Sequence, residues 1–498
     1  MLLLGIDIGT SSIKVSVVDA DTQQCVASAQ FPDTERSITT LQHGWAEQSP
    51  MLWWTDVQQA IEKMHALKKY DPTAIAAIGV AYQMHGLVIV DKDQQVLRDA
   101  IIWCDSRAVP IGNAAFDVIG HDKCLSRLLN SPGNFTAAKL AWVRENEPHL
   151  YEQIYKVMLP GDFIAMRLTK QITTSSSALS EGVFWDFQNK SLSADVLDYF
   201  NFSSSLFPDI KNVFSEHGLL DKEIAAQLGL KANIPVSYKS GDQPNNAFSL
   251  NVLEPGQVAA TAGTSGVIYG VGDTLSYDLQ SRINSFAHVN HTDEETRIGT
   301  LLCINGTGIA NSYTKKLLIA DCSYPAANEM ARNIPVGSEG LYILPFGNGA
   351  ERMLCNKEIG ASYQKVDFNL HTHAHFLRAA QEGVAFAFRY GIDIMRENGI
   401  TPSVIRAGKA NMFLSNVFLQ AFVNVTNVPV ELYDTDGSIG AAKGAGVGAK
   451  IFSTAKEAFL NMEDLQLIEP SVPAAYDEVY QGWKELLDEK MQTTTGVE

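Results

Sequence analysis

The sequence predicts an α/β protein built as two domains of similar plan that face a shared cleft. Short apolar runs rich in strand formers alternate with amphipathic helical patterns along the chain, the signature of packed strand and helix layers. A strand, Gly-Thr-Ser turn, strand pattern occurs at Gly9 and again at Gly263, 263 − 9 = 254 residues later and close to half the chain. The length of 498 residues suits two such domains, since one α/β domain often runs to about 250 residues. The division is expected at 1–250 and 251–498, where Gly241-Asp-Gln-Pro-Asn-Asn246 and Glu254-Pro-Gly256 supply turn residues.

Residues 2–8 are apolar strand formers, Gly-Thr-Ser-Ser turns the chain, and a strand resumes at Ile13, so the opening is a hairpin. Residues 22–30 supply a third strand. Trp53, Val57, Ile61 and Met64 recur every three or four positions and predict a helix after Pro50. Residues 74–81 read as a buried strand ending at Gln83-Met84-His85-Gly86, with short strands at 88–90 and 100–103. The second hairpin spans 257–271. Phe376, Ala379, Ala380, Gly383, Val384, Phe386 and Ala387 form one apolar helix face. Another helix is expected after Asn411, with Phe413, Val417, Phe418, Ala421 and Phe422 inward. A third begins after Asp436-Gly437-Ser438, and its small residues up to Gly448 permit close packing. The tail from Thr454 reads as helices docked on the surface.

Lys and Arg number 38 against 56 Asp and Glu, a net charge of −18. Such a chain is a poor nucleic-acid or membrane-surface binder, because both partners need basic surface. A nucleotide site, which needs only a few local donors, stays open. The opening lacks the basic segment and apolar core of a secretion signal, and no run approaches the roughly 18 apolar residues of a membrane span. The six cysteines are scattered without a CxxC, as expected for reduced thiols in a cytoplasm. His371, His373 and His375 alternate. On a strand they would share a face as metal ligands; a polar surface or helix entrance is the reading preferred.

Asp7-Ile-Gly-Thr10-Ser11-Ser12-Ile-Lys14 joins an acid to a hydroxyl-rich turn. Backbone amides and hydroxyls in such a turn can hold phosphate oxygens, and an acid at the strand end can hold Mg²⁺. The bland alternative is a plain β-turn. The matching Gly263-Thr264-Ser265-Gly266 favours phosphate, because two turns across a cleft can grip one triphosphate. Asp242, in an expected turn, is a candidate base for an acceptor hydroxyl; a lone acid in a turn is more often a capping device. Gln83-Met84-His85-Gly86 and Trp103-Cys104-Asp105-Ser106-Arg107 set polar groups beside an aromatic face, which suits a polyol. Taken singly, His85 and Trp103 also fit as packed core residues. There is no GxxxxGK[ST], and no GxGxxG follows the first strand.

Together these residues resemble the FGGY carbohydrate kinases, within the superfamily of sugar kinases, actin and heat-shock ATPases. The resemblance runs from Leu3 to the helices beyond Gly440. Trp103-Cys-Asp105-Ser-Arg107 is similar to the family's Trp-Asn-Asp-x-Arg, with Cys104 replacing Asn. Lys139-Leu-Ala-Trp142 and Leu159-Pro160-Gly-Asp162-Phe163 fall where the family has related patterns. Ala262-Gly-Thr-Ser-Gly266 resembles its second phosphate motif. The stretch from His375 to Gly383 resembles its second-half helix signature, and Asp436-Gly437 to Ala442 its connecting motif. Gln83-Met84-His85-Gly86 is closest to the sugar segment of members that phosphorylate D-xylulose.

The resemblance implies two ribonuclease H-like (actin-like ATPase) domains and phosphorylation of a sugar hydroxyl with ATP and Mg²⁺. Asp242 would be the catalytic base and Asp7 the second catalytic acid, both on the metal side. Gln83, Met84, His85, Trp103, Asp105, Asp242 and Gln243 would meet the sugar. Thr10, Ser11, Lys14, Gly263, Thr264, Ser265, Gly408, Lys409 and Asn411 would meet the nucleotide. A homodimer is common in the family. Two departures stand out. Gln243 replaces the Asn that commonly follows the base. Arg406-Ala407-Gly408-Lys409-Ala410-Asn411 replaces a Gly-Gly-Gly/Ala-x-Ser adenosine motif, so Ala407 and Lys409 are expected to add bulk there. The rival readings are a kinase for another ketose, polyol or sugar acid, and a non-catalytic nucleotide-binding protein of the same superfamily.

Overall fold

A computed structural model describes residues 1–462 and 466–494. The opening hairpin forms as β1 (Leu2–Ile8) and β2 (Ile13–Asp19), with Asp7 opposite Lys14. β3 (Cys25–Phe31) follows, then α1 (Pro50–Ala66), which buries Trp53, Val57, Ile61 and Met64 as their spacing requires. β4 (Ile75–Tyr82) lies parallel to β1. A long excursion carries α2 (Thr136–Asn146) and α3 (Ser176–Glu181). The chain returns through β5 (Phe214–Leu219) and β6 (Pro235–Gly241). The sheet order is β5-β6-β4-β1-β2-β3, with β1, β4 and β6 parallel. These central strands are near-continuous apolar runs because both sheet faces are covered.

α4 (Asp242–Ser249) leads into the second half. There β7 (Gln257–Ala262), β8 (Gly266–Gly272), β9 (Asn284–Ala287) and β10 (Ile298–Ile304) precede α5 (Gly308–Ile319) and the long α6 (His373–Glu397). β11 (Val404–Gly408), α7 (Asn416–Thr426), β12 (Val430–Tyr433), α8 (Gly437–Gly448), β13 (Gln466–Ile468) and α9 (Pro473–Thr493) complete the chain. The sheet order is β9-β10-β8-β7-β11-β12-β13. From β10 to β13 it repeats the order and directions of the first sheet: a hairpin, two parallel neighbours, an antiparallel edge. Two ribonuclease H-like sheets are therefore present, as the paired turns led one to expect.

The Gly- and Ala-rich α8 belongs to the second half by sequence but packs on β1, β4 and β6 of the first sheet. Its backbone rides directly on theirs. A Cβ at Gly5 would lie 1.8 Å from the Ser438 carbonyl oxygen, and one at Gly79 2.0 Å from that of Ala441. α4 and α8 meet where Asn245 Nδ2 donates to the Gly437 carbonyl at 2.8 Å. Both helices begin where a parallel strand ends, so both N-termini open on the same region.

Three local expectations need correction. Asp242 is the first residue of α4 rather than part of a turn, because the strand passes straight into the helix at Gly241. The helix after Asn411 starts at Asn416; residues 411–414 form a tight 3₁₀ turn entered through left-handed Asn411 (φ +53°). The tail is not only surface helix. β13 pairs with β12, and α9 buries Tyr476, Tyr480, Trp483 and Leu487, with Trp483 Nε1 donating to the Ile343 carbonyl at 2.9 Å; residues 463–465 lie outside the described residues. The histidine trio sits at a helix entrance, where Thr372 and His375 form a capping box and His375 Nε2 lies 2.7 Å from Glu339. No helix among the described residues is long and apolar enough to cross a membrane.

Candidate active site

The first turn is tied in place before any ligand arrives. Gly9 N–H donates to the Ser12 carbonyl at 3.1 Å. Gln48 Nε2 donates to the Thr10 carbonyl at 2.7 Å, Trp103 Nε1 donates to Thr10 Oγ1 at 2.9 Å, and Thr10 Oγ1 donates to Gln83 Oε1 at 3.3 Å. Gln83 is buried and also donates to Gln48 at 3.1 Å. Gln83 and Trp103 thus brace the Thr10 turn, while the Trp103 ring stays half exposed. Ser11 and the exposed Lys14 flank the turn.

Carboxylates from three elements gather beside it. Asp7 lies at the end of β1, Asp242 begins α4, and Asp436 caps α8 by accepting the Ser438 and Ile439 N–H groups at 3.0 and 3.1 Å. Asp7 abuts the first turn of α8: a Cβ at Gly437 would lie 2.3 Å from its Oδ2. Burial and then the charge of Asp436 push Asp7 up to about 6, with Lys14 opposing. Burial and then the charge of Asp7 push Asp242 up to about 7, with hydrogen bonds from Gln243 opposing. No group of three or more His, Cys, Asp or Glu among the described residues forms a metal cage. Mg²⁺ does not need one, since it commonly takes one or two carboxylates plus phosphate oxygens and waters. Mutually repelling carboxylates next to the hydroxyl-rich Thr10 turn suit that arrangement.

Met84 and His85 follow β4. His85 holds a left-handed backbone (φ +62°), a conformation that costs a non-glycine residue about 1–3 kcal/mol. Its Nδ1 lies 2.8 Å from the Glu181 carbonyl, which can only accept, so Nδ1 carries the proton. Burial lowers the ring's pKa to about 3, and it is neutral at pH 7. Nε2 is left as an acceptor suited to a hydroxyl. Phe135 and Phe286 wall the ring, with centroids 4.9 and 5.3 Å away. Met84 reaches Asp242's neighbour, for a Cβ at Gly241 would lie 2.7 Å from Met84 Cγ. Glu181 is buried here too; it accepts from Tyr82 Oη at 2.6 Å and is raised by burial and by Asp242. Asp105, expected to meet sugar, is fully buried and holds Arg107 through both carboxylate oxygens. That pairing leaves it a fastener of its loop.

Across from these, Gly263, Thr264, Gly308, Asn311, Asn411 and Ser415 line a cavity of about 480 Å³. The second turn is docked on the start of α5, with Gly308 and Ile309 N–H donating to the Gly263 and Thr264 carbonyls at 2.9 and 3.1 Å. Ser265 is exposed beside it, and Asn411 brings its amide close to Gly263. Gly408 ends β11, and the side chain of Lys409 is exposed. Ala407 does not intrude, contrary to expectation, because strand alternation turns its methyl into the core. Sequence reasoning did not single out Glu181, the carboxylate of Asp436, or residues 307–311. The run Gly306-Thr307-Gly308 before a helical pattern was a usable signal for the last of these; Glu181 had none.

Two matching ribonuclease H-like sheets, a Gly-Thr-Ser turn on each and acids where the strands end define a phosphotransferase of the actin-like ATPase architecture. The chain belongs to the FGGY family of carbohydrate kinases: the family's N-terminal domain matches residues 2–249 and its C-terminal domain residues 254–449. The xylulose kinase of Bacillus subtilis (strain 168) is 28% identical over 91% of this chain and 90% of its own. That of Escherichia coli (strain K12) is 27% identical over 93% and 92%. A solved structure described as a xyloylose kinase from Brucella ovis superposes with a TM-score of 0.88 at 25% identity, covering 98% of this chain and 99% of that one. The chain is an ATP-dependent carbohydrate kinase.

Proposed function

We propose that the enzyme phosphorylates D-xylulose at its C5 hydroxyl, with Asp242 as general base. The observation that carries this reading is the meeting of a neutral, acceptor-presenting His85 and Met84 with a carboxylate raised to about 7, next to a phosphate-binding turn. The xylulose kinases among its relatives support the choice of sugar. Asp242 holds the attacking hydroxyl and takes its proton as the bond to phosphorus forms. The turns at Thr10 and Thr264 orient phosphate oxygens from opposite sides of the cleft through backbone N–H groups and hydroxyls. Mg²⁺, when bound on the Asp7 and Asp242 side, neutralises charge on the phosphates. Met84 and the aromatic walls around His85 exclude water, the competing acceptor.

A coupled ADP-release screen over pentuloses, hexuloses, glycerol and gluconate tests the substrate. D-Xylulose is expected to give the highest kcat/KM; a better acceptor overturns the choice of sugar, and no sugar-dependent ADP release favours a non-catalytic nucleotide binder.

The base must be ionised to act. Because the Asp242 carboxyl sits at about 7, kcat/KM is expected to fall as pH drops through 7 and to approach a tenfold loss per unit below it. A profile flat down to pH 5 would contradict this.

Lys409 is an exposed cation among the departures in the adenosine segment. Lys409→Ala is expected to raise the KM for ATP up to about fivefold, in keeping with an exposed charge, and to leave the sugar KM alone. Unchanged profiles with ATP, GTP and pyrophosphate would remove Lys409 from the donor site.

A further inference from the structure

His85 is held from behind. Two donors converge on its carbonyl oxygen: Lys139 Nζ at 3.0 Å and Thr136 Oγ1 at 3.2 Å. Both come from the start of α2, which follows Phe135, the ring packed on His85. Lys139 is 0% exposed, and among the described residues no carboxylate pairs with it within 4 Å. A buried lysine without an ion-pair partner is expensive, and an apolar side chain of similar volume would fill the space at least as well. Among the described residues its amine donates to one acceptor, the carbonyl of the left-handed residue in the pocket. Burial lowers the amine to about 7, and a neutral amine still donates, so the bond does not depend on charge.

We propose that Lys139 is a positioning residue of the acceptor site: by gripping the His85 carbonyl it holds the left-handed backbone that presents the imidazole Nε2 to a sugar hydroxyl. The proposal rests on reading Met84 and His85 as the acceptor pocket.

The test compares Lys139→Met, Thr136→Val, His85→Ala and the Lys139→Met/His85→Ala double variant. Lys139→Met is expected to raise the sugar KM about tenfold, the scale of a lost buried hydrogen bond from a polar or charged donor. The KM for ATP and the sugar-free ATPase rate should not move. Thr136→Val should show the same selectivity with a smaller rise. A filler role would lower the folded fraction without changing either KM. The double variant should be no worse than His85→Ala, since contacting residues acting through one group are not additive. If His85→Ala raises the sugar KM but folded Lys139→Met does not, or if the two effects add, the inference falls. If His85→Ala leaves the sugar KM unchanged, the acceptor reading itself falls. Should Lys139→Met not fold, Thr136→Val alone and with His85→Ala carries the same comparison.

Discussion

Asp242→Asn is expected to lower kcat by about 10²–10⁴, the usual contribution of a general base, while ATP binding measured by calorimetry stays near wild type. Asparagine keeps the size of the side chain and can still begin α4, so the substitution removes a proton acceptor and little else. The environment of Asp242 is what makes the effect large. Burial and the neighbouring Asp7 raise its carboxyl to about 7, where the ionised form is abundant and still basic enough to take a proton. The same repulsion means that the variant should lower the Asp7 carboxyl towards ordinary values. Turnover within a few-fold of wild type would refute the assignment of Asp242 as base.

Gly79→Val is expected to cost about 3 kcal/mol or more, the upper range for overpacking, and to lower Tm by roughly 6 °C or more at about 2–4 °C per kcal/mol. The atom a Cβ would meet is the Ala441 carbonyl oxygen at 2.0 Å, which is backbone and cannot swing aside. Relief requires α8 to lift from β4. Because α8 carries Asp436 and its first turn touches Asp7, activity should fall along with stability. Gly272→Ala is the control: its Cβ would meet Ile400 at 3.7 Å, an ordinary contact, and little change in Tm is expected. An unchanged Tm for Gly79→Val, measured by differential scanning calorimetry, would mean that α8 does not sit on the strand backbone.

Local elements were legible where side-chain periodicity is imposed by one neighbour. The opening hairpin, α1 with its Trp53 to Met64 stripe, and the small-residue helix α8 all follow from spacing alone. Asp242 was legible as chemistry but not as geometry, since whether the chain turns or enters a helix after Gly241 is decided by where α8 lies. The structural ties of Gln83, Trp103 and Asp105 were illegible for a related reason. Each is a polar residue in a motif that suits sugar recognition, yet each spends its donors and acceptors on Gln48, Thr10 or Arg107. Those partners lie 35 to 93 residues away or in the loop's own fold, and no local pattern reports them. Ala407 was misjudged because bulk beside a nucleotide depends on which face of β11 it occupies.

By itself the sequence determined that this is a duplicated α/β chain, through the two Gly-Thr-Ser hairpins 254 residues apart, and that its chemistry belongs to hydroxyl and phosphate rather than to nucleic acid or membrane. Periodicity and turn composition are local, and they survive in a linear reading. Only the tertiary structure decided which polar residues are free to act. It placed α8 of the second half on the first sheet, brought Asp436 to Asp7 and Asp242, and set Lys139 and Glu181 behind His85. The physical reason is that burial and pairing are properties of contacts distant along the chain, and they alone separate a side chain that reaches substrate from one already satisfied by the protein.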